Sequence, residues 1–370
     1  MALSKLNLNS FDLDKINAFS NRNMIINGNM VISQRNGTTA ATAEGYTLDR
    51  WQFDVDAMDN LAFEISQTND VPATFAGGGG KSLKYQTKTV ESALASDEFG
   101  RFMHKIEAQN CHRLLYGTSS AKSATLSFWV KSSLTGVFAV MLYLEDGGLN
   151  IGSTYTISSA DTWEYKTITF VGNTSQAITH DNSIGLYVQF ILMAGSSYVA
   201  TDNTSWASYA GGRLAYGHAQ NSLATTDEST WQLTGVQFEV GEVATPFENE
   251  SYGDTLRKCQ RYYYVHSEGN DEPLGTGVAE AADLISWYIY PPVTMRADPA
   301  VVENEGTNYY ISYAGTATDQ FDGIKTADRS AKAVYCYADA SLNVSGNTAG
   351  SGTVVTSHNA SSKVALDAEL

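Results

Sequence analysis

The stretch that decides the fold is WQLTGVQFEVGEVATPFE, which runs from Trp231 to Glu248. Val236, Phe238 and Val240 alternate with polar residues, so their side chains fall on one face of an extended chain. Pro246 has no N–H group to donate to a neighbouring strand, so the strand has to end before it. The stretch therefore predicts an amphipathic strand that closes one β domain.

Earlier segments repeat the same two-residue period. They are LAFEIS (61–66), SLKYQTKT (82–89), ATLSFWVKSS (124–133), EYKTITFVG (164–172) and GLYVQFILM (185–193). VFAVMLYL (137–144) is apolar on both faces, which predicts a central strand. Because turn signals separate these segments at short intervals, we expect an all-β fold, a jelly-roll β-sandwich followed by a smaller C-terminal β domain.

The composition limits the function. A chain of 370 residues is long enough for two or three domains, and its 21 tyrosines favour pleated, half-buried surfaces. The net charge of −17 repels phosphate backbones and anionic lipids, so we expect neither nucleic-acid binding nor membrane insertion. The three cysteines lie far apart, which favours buried free thiols over a disulfide framework or a zinc ribbon.

We expect four segments along the chain. Residues 1–22 form a leader that docks to another surface, 23–250 the jelly roll, 251–264 a junction and 265–370 a C-terminal β domain. The strands expected in the last domain are LISWYIY (284–290), NYYISYAG (308–315), AKAVYCYAD (331–339) and SGTVVTS (351–357).

Several sequence blocks resemble, in the same order, those of tailed-phage fibre and virion appendage proteins. The blocks are NMIINGNMVISQR (23–35), YTLDRW (46–51), GTSSAKSATLSFWVKSSLTGVF (117–138), the stretch quoted first, CQRYYY (259–264), PPVTMRADP (291–299) and LDAEL (366–370). The resemblance implies a jelly roll like that of carbohydrate-binding modules. It also implies a homotrimer that becomes part of a phage virion. The resemblance begins at residue 23, and we expect separately that the leader at 1–22 docks to other virion proteins and that the chain is assembled in the cytoplasm of the bacterial host.

The resemblance further implies attachment to a host surface, and a cell-surface glycan is one expected partner. Sugar recognition needs exposed aromatic platforms beside amides or carboxylates, and the long segment 195–221 is rich in such residues. The candidate ligand-binding residues are Trp129, Tyr198, Asp202, Asn203, Trp206, Tyr209 and Tyr216. The alternative is that these aromatic residues pack under the segment itself or against a neighbouring subunit.

A second set of residues is expected to hold the structure together. A guanidinium between carboxylates and stacked on an indole is suited to a sandwich core, with Glu239 or Gln237 as its partner. Tyrosine suits a seam between domains, because its ring is apolar and its tip is polar. The residues assigned to these roles are Asp49, Arg50, Trp51, Glu239, Arg261 and Tyr263.

No cofactor is expected, apart from a structural calcium ion. In EDGGLN, Glu145 and Asp146 are either Ca²⁺ ligands or part of a tight polar turn. The sequence lacks His-Glu-x-x-His, Gly-x-Ser-x-Gly, Walker and Cys-x-x-Cys motifs, so we do not expect an enzyme. Two alternatives to a host-attachment protein remain: a capsid decoration protein without a receptor role, and a glycan-cleaving tailspike.

Overall fold

The computed structural model describes residues 21–370 except 57, 59, 77–78, 220–221 and 315–316. The chain divides into a first compact unit that ends at Ser251 and a second unit from Tyr252 to Leu370. Antiparallel strands dominate both units, which confirms the all-β prediction. Residues 1–20 of the expected leader lie outside the described residues.

The first unit is built from two sheets. Its strands are β1 (Gly45–Leu48), β2 (Trp51–Asp56), β3 (Ala62–Thr68), β4 (Ser82–Thr89), β5 (Phe99–Glu107), β6 (Ala124–Ser132), β7 (Gly136–Leu144), β8 (Leu149–Ile157), β9 (Glu164–Phe170), β10 (Ile184–Ala194), β11 (Ala207–Ser208) and β12 (Thr230–Val240). The seven-stranded sheet has the order β1-β2-β5-β10-β7-β8-β11, and the five-stranded sheet has the order β3-β4-β12-β6-β9. The strand from VFAVMLYL, β7, lies inside its sheet, as predicted.

Short helical elements connect these strands. They are α1 (Ala73–Ala76), α2 (Ser222–Thr225) and 3₁₀ turns at Ala108–Leu114, Ser196–Tyr198 and Gly211–Arg213.

An aromatic core fills the space between the two sheets. Phe128, Phe190 and Phe238 come from both sheets and expose 0% of their surface within one hydrophobic cluster. The ring of Phe102 on β5 stacks on Trp231 of β12, with centroids 5.8 Å apart and an interplanar angle of 13°. Such contacts across the core join the sheets into a β-sandwich.

The strand that the first-quoted stretch predicts is β12. Val236 and Phe238 are buried in the core, and the strand ends before the proline, as predicted. Its opposite face is covered by the chain that follows it. Glu239 accepts hydrogen bonds from Gln237 Nε2 and from the backbone amide of Thr245, both at 2.8 Å.

The Asp49–Arg50–Trp51 triplet lies buried at the turn between β1 and β2. Asp49 accepts a hydrogen bond from the backbone amide of Gln34 at 2.6 Å. The indole of Trp51 donates to the carbonyl oxygen of Asn27 at 3.1 Å. These bonds tie the segment that precedes β1 to the sandwich.

Arg50 has a different partner from the one expected. Its Nη2 donates to the carbonyl oxygen of Lys105 at 2.5 Å, whereas Glu239 is satisfied by Gln237 and the 245 segment beside the other sheet. The expected pairing of Arg50 with Glu239 or Gln237 is wrong, because the turn after β1 delivers the guanidinium to the backbone of β5.

The second unit begins with helix α3 (Tyr252–Gln260). Its strands are β13 (Tyr263–Glu268), β14 (Pro273–Ala281), β15 (Leu284–Ile289), β16 (Ala300–Glu303), β17 (Tyr310–Ala314), β18 (Ala317–Phe321), β19 (Lys325–Ser330), β20 (Ala333–Asp339), β21 (Gly352–Ser357) and β22 (Lys363–Asp367), with a 3₁₀ turn at Ala340–Leu342. A three-stranded sheet has the order β13-β22-β16, and a seven-stranded sheet has the order β18-β17-β21-β14-β15-β20-β19.

Helix α3 occupies most of the stretch expected to be a junction. Tyr263 follows the helix, pairs with Asp367 and is buried. Arg261 Nη1 donates to the carbonyl oxygen of Thr294 at 3.3 Å. Both residues therefore stabilise the start of the second unit.

The three cysteines are free and buried, as predicted. Burial raises the pKa of the Cys111 and Cys336 thiols to about 12, which keeps them protonated. No helix among the described residues has the length and apolarity that a bilayer crossing requires.

Glu303 ends β16 as a largely buried carboxyl group. One of its oxygens accepts a hydrogen bond from the backbone amide of Ile324 at 2.7 Å. Burial nevertheless raises its pKa from 4.5 to about 7, with a smaller contribution from nearby Glu305. The second unit therefore holds this group protonated in mildly acidic solution.

Removing a core ring will destabilise the first unit. We expect Phe128→Ala to lower its free energy of unfolding by about 3–5 kcal/mol, because the void left between the sheets cannot collapse fully. Urea unfolding followed by near-ultraviolet circular dichroism measures the change. Val243→Ala, at a side chain that is 76% exposed, is the control. An unchanged midpoint for Phe128→Ala would contradict the sandwich core.

The stability of the second unit will fall as the pH rises between 4.5 and 7. The folded state binds the Glu303 proton more tightly than the unfolded chain does. The free energy of unfolding is therefore highest below pH 4.5 and decreases as the pH rises through the folded-state pKa of about 7. Denaturant midpoints at several pH values, compared between the wild type and Glu303→Gln, measure this slope. We expect the difference between the two proteins to change with pH, and a constant difference would refute the assignment.

Candidate functional site

The long segment after β10 folds back over the outer face of the seven-stranded sheet. Its two-residue strand β11 pairs with the start of β8, and the amide of Tyr209 donates to the carbonyl oxygen of Gly148 at 2.7 Å. Leu214 and Ala215 are buried against Met141 of β7. The segment is therefore a packed layer on the sheet.

Arg213 fastens this layer. Its guanidinium donates to Asn150 Oδ1 at 2.9 Å and to the carbonyl oxygen of Ser205 at 2.7 Å. Its own carbonyl oxygen accepts from Asn150 Nδ2 at 2.9 Å and from Asn203 Nδ2 at 2.8 Å. One buried cation thus links residues 203–205 of the segment to β8.

The part of the sheet that the segment leaves uncovered is a shallow groove of about 170 Å³, here called the tyrosine groove. Its lining residues are Arg101, Met103, Met141, Tyr143, Tyr187, Gln189 and Tyr209. They come from β5, β7 and β10 and from the covering segment. Since ligand pockets usually measure roughly 300–1,000 Å³, a ligand here would lie across the groove and extend beyond it.

A hydrogen-bond network runs along one side of the tyrosine groove. Arg101 donates from Nε and Nη2 to Asp54 Oδ2, at 2.9 and 2.7 Å, and from Nη1 to Gln189 Oε1 at 2.8 Å. The side chains of Arg101 and Asp54 keep 18% and 27% of their surface exposed. The network is thus fixed by its own bonds. Arg101 and Asp54 remain accessible to a ligand, whereas Gln189 is buried.

Tyrosine rings form the walls of the groove. Tyr143 contacts both Tyr187 and Tyr209 edge to face, with ring centroids 5.5 Å apart in each pair. Burial raises the pKa of the Tyr187 hydroxyl, and the nearby negative charge of Glu145 raises it further. Burial and Glu145 also raise the pKa of Tyr143. The hydroxyl groups therefore remain protonated donors.

The structure places two of the expected ligand-binding residues beside this groove. Tyr209 is one of its walls and is 39% exposed. Tyr198 packs edge to face on Phe99, and its hydroxyl donates to the carbonyl oxygen of Asp97 at 3.1 Å. It supports the layer that carries Tyr209.

The other expected residues of the segment lie outside the groove. Asn203 is buried and holds the Arg213 carbonyl oxygen, so it is not available to a ligand. Asp202 is exposed but accepts hydrogen bonds from Thr204, which lower its pKa. Tyr216 is 38% exposed in a turn.

Trp206 and Trp129 do not line the tyrosine groove. The indole of Trp206 donates to the carbonyl oxygen of Val171 at 2.8 Å and packs edge to face on Tyr116, which makes it a packing residue. Trp129 lies on the outer face of the five-stranded sheet, because its neighbours Phe128 and Val130 point into the core.

The expected calcium ligands lie in the turn between β7 and β8. Asp146 Oδ2 accepts a hydrogen bond from the backbone amide of Thr179 at 2.6 Å, and the charge of Glu145 lies close enough to Tyr187 to raise the pKa of its hydroxyl. In the described part of the chain, no group of three or more His, Cys, Asp or Glu side chains is arranged to hold a metal ion.

Sequence reasoning missed the centre of the groove. Arg101, Gln189 and Tyr187 each lie one residue away from a core position of their strands, so the two-residue period assigns them to an outer face. The period does not show that β5 and β10 are neighbours, and only that pairing brings the three side chains together.

No protein-family profile and no curated protein matches the chain. Several solved structures resemble it at low similarity. The enzymatically active domain of tailspike protein 4 of bacteriophage CBA120 matches 60% of this chain at 12% identity and a TM-score of 0.33, and the match spans 22% of that domain's chain.

Two carbohydrate-binding modules resemble the chain at similar levels. A family 61 module, TmCBM61, in complex with β-1,4-galactotriose covers 60% of this chain and 99% of its own, at 9% identity and a TM-score of 0.28. The family 11 module of the cellulosomal cellulase Lic26A-Cel5E of Clostridium thermocellum covers 56% of this chain and 98% of its own, at 12% identity and a TM-score of 0.27.

Replacing Arg213 will release the layer that carries Tyr209. In Arg213→Met the carbonyl and amide oxygens lose charge-assisted hydrogen bonds worth roughly 1.5–3 kcal/mol each. We expect the Tyr209 amide to exchange its hydrogen faster while amides of β10 keep their protection. Hydrogen exchange with mass spectrometry measures both. Arg257→Met, at a side chain that is 65% exposed, is the matched control. Equal protection in both variants would mean that Arg213 does not fasten the layer.

Proposed function

We propose that this chain binds a saccharide non-covalently at the tyrosine groove. The observation that carries the proposal is the arrangement of three tyrosine rings around the Arg101–Asp54–Gln189 network on an accessible sheet face. Sugars present apolar C–H faces and hydroxyl edges. The tyrosine rings can pack against the C–H faces, and the fixed donors and acceptors can bond to the hydroxyl edges.

The charges favour an uncharged saccharide. Arg101 and Lys105 lie near the groove together with the carboxylates of Asp54 and Glu145, so the local charges balance. The chain as a whole carries a net charge of −17 and repels anionic polymers at a distance. A neutral glycan therefore meets no electrostatic barrier at the groove.

We further propose that the chain does this as a tail fibre or short appendage of a phage virion. The blocks that resemble such proteins support this setting and a homotrimer. We also propose that the leader at 1–22, which lies outside those blocks, attaches the chain to other virion proteins after assembly in the host cytoplasm. Weak contacts at each groove would add up through the effective concentration of several copies on one particle. Binding without cleavage suits a protein that has to remain attached.

Two tyrosines of the covering segment give a matched test. Tyr209 lines the groove and Tyr216 does not, and they are 39% and 38% exposed. We expect Tyr209→Ala to weaken binding to a neutral polysaccharide roughly tenfold, the loss of about one ring contact, and Tyr216→Ala to leave it unchanged. Affinity electrophoresis over a panel of neutral and anionic polysaccharides measures both variants.

The same panel decides the proposal. Equal weakening by Tyr209→Ala and Tyr216→Ala would place binding outside the groove. Retention on anionic polymers alone would overturn the assigned charge class, and no retention on any polymer would overturn the function. New reducing ends during the incubation would show that the chain cleaves glycans.

A further inference from the structure

A second concave site lies on the outer face of the five-stranded sheet. This aromatic cleft measures about 480 Å³, within the roughly 300–1,000 Å³ of ordinary ligand sites. Its aromatic lining residues are Phe75, Trp129, Tyr165 and Phe247. It contains one of the residues that the sequence singled out as a sugar platform, and the proposed function does not use it.

Strand register builds one wall of the aromatic cleft. Trp129 of β6 and Tyr165 of β9 are direct cross-strand partners, with ring centroids 5.3 Å apart and an angle of 48° between the planes. Phe75 of α1 and Phe247 contact each other edge to face at the same centroid distance, 5.3 Å. Two pairs of rings on rigid elements therefore form the site.

The space between the rings depends on Gly235. The register of β12 with β6 shifts at this point, and the glycine adopts a φ of +61°. A Cβ there would lie 2.7 Å from Phe75 Cζ and 3.2 Å from Trp129 Cδ1. The absence of a side chain at Gly235 thus lets Phe75 and Trp129 both lie close against the backbone of β12.

The rim of the cleft offers uncommitted polar groups. Within the described residues, the Thr74 hydroxyl, the Trp129 indole N–H and the Tyr165 hydroxyl have no hydrogen-bond partner, and the Asn249 amide makes only a long bond of 3.4 Å to its neighbour Phe247. None of the lining residues carries a charge. A ligand with apolar faces and hydroxyl edges can engage both the rings and these groups.

We propose that the aromatic cleft is a second saccharide site, which binds an uncharged sugar by ring stacking. The inference rests on the proposed saccharide-binding function and adds to it, because the sandwich then carries one sugar on each outer face. A purely apolar peptide segment would leave the rim donors unused and take them out of water, which is unfavourable. One chain with two such faces joins two separate glycan chains.

The test uses the full chain and a neutral oligosaccharide that the polysaccharide panel identifies. Isothermal titration of the wild type is expected to show two sites. Trp129→Ala and Tyr165→Ala should each weaken binding at the aromatic cleft roughly tenfold and leave the tyrosine groove unchanged. Tyr209→Ala should weaken only the tyrosine groove. Tyr313→Ala is the matched control, because Tyr165 and Tyr313 are both 44% exposed.

Turbidity of a long neutral polysaccharide supplies an independent readout. The wild type should cross-link it more extensively than Tyr165→Ala or Tyr209→Ala does at the same concentration of bound chain. Circular dichroism confirms that each variant is folded, and Tyr165→Ala keeps the test decisive if Trp129→Ala unfolds.

The outcomes separate the two proposals. If Trp129→Ala and Tyr165→Ala leave titration and turbidity unchanged while Tyr209→Ala weakens binding, the inference fails and the proposed function stands. If no saccharide binds, both fail. Saccharide binding at the cleft that appears only after residues 1–22 are removed would assign the cleft to the leader and overturn the inference.

Discussion

Burial of alternate side chains between two sheets is the constraint on which both sites depend. Phe102 and Phe128 enter the aromatic core from opposite sheets, and each is fully buried. Because successive residues of a strand point to opposite faces, these positions force Arg101 and Trp129 outward. The core therefore does more than hold the sheets together. It fixes the orientation and spacing of the side chains that remain available on the outer faces.

The sequence predicts the strands and the core well, because a two-residue period is a local signal. This local signal does not predict the sites, which depend on how the strands pair. The tyrosine groove exists because β10 lies between β5 and β7, and such pairing joins residues far apart in the chain. Helix α3 had a local signal that was overlooked: Ser251 followed three residues later by Asp254 has the spacing of a capping box. The role of Arg213 could not be predicted, because its partners come from separate parts of the fold.

The two outer faces differ in chemistry, and the difference follows from which residues are left exposed. The tyrosine groove contains a cation, carboxylates and an amide in fixed hydrogen bonds, so most of its polar groups already have partners. The aromatic cleft contains rings and uncommitted neutral groups. A sugar on the groove would bond to polar groups that already have hydrogen-bond partners. A sugar in the cleft would bond to groups that have none and would also cover apolar surface. The cleft should therefore gain more from water release and the groove more from directional selectivity.

Rigidity distinguishes the two sites further. Trp129 and Tyr165 stand on paired strands, so their geometry exists before a ligand arrives and little side-chain entropy remains to be lost. Tyr209 stands on an irregular segment that owes its position to the Arg213 bonds and to one backbone bond with Gly148. That wall would shift if the layer loosened, so the proposed saccharide site depends on the Arg213 bonds.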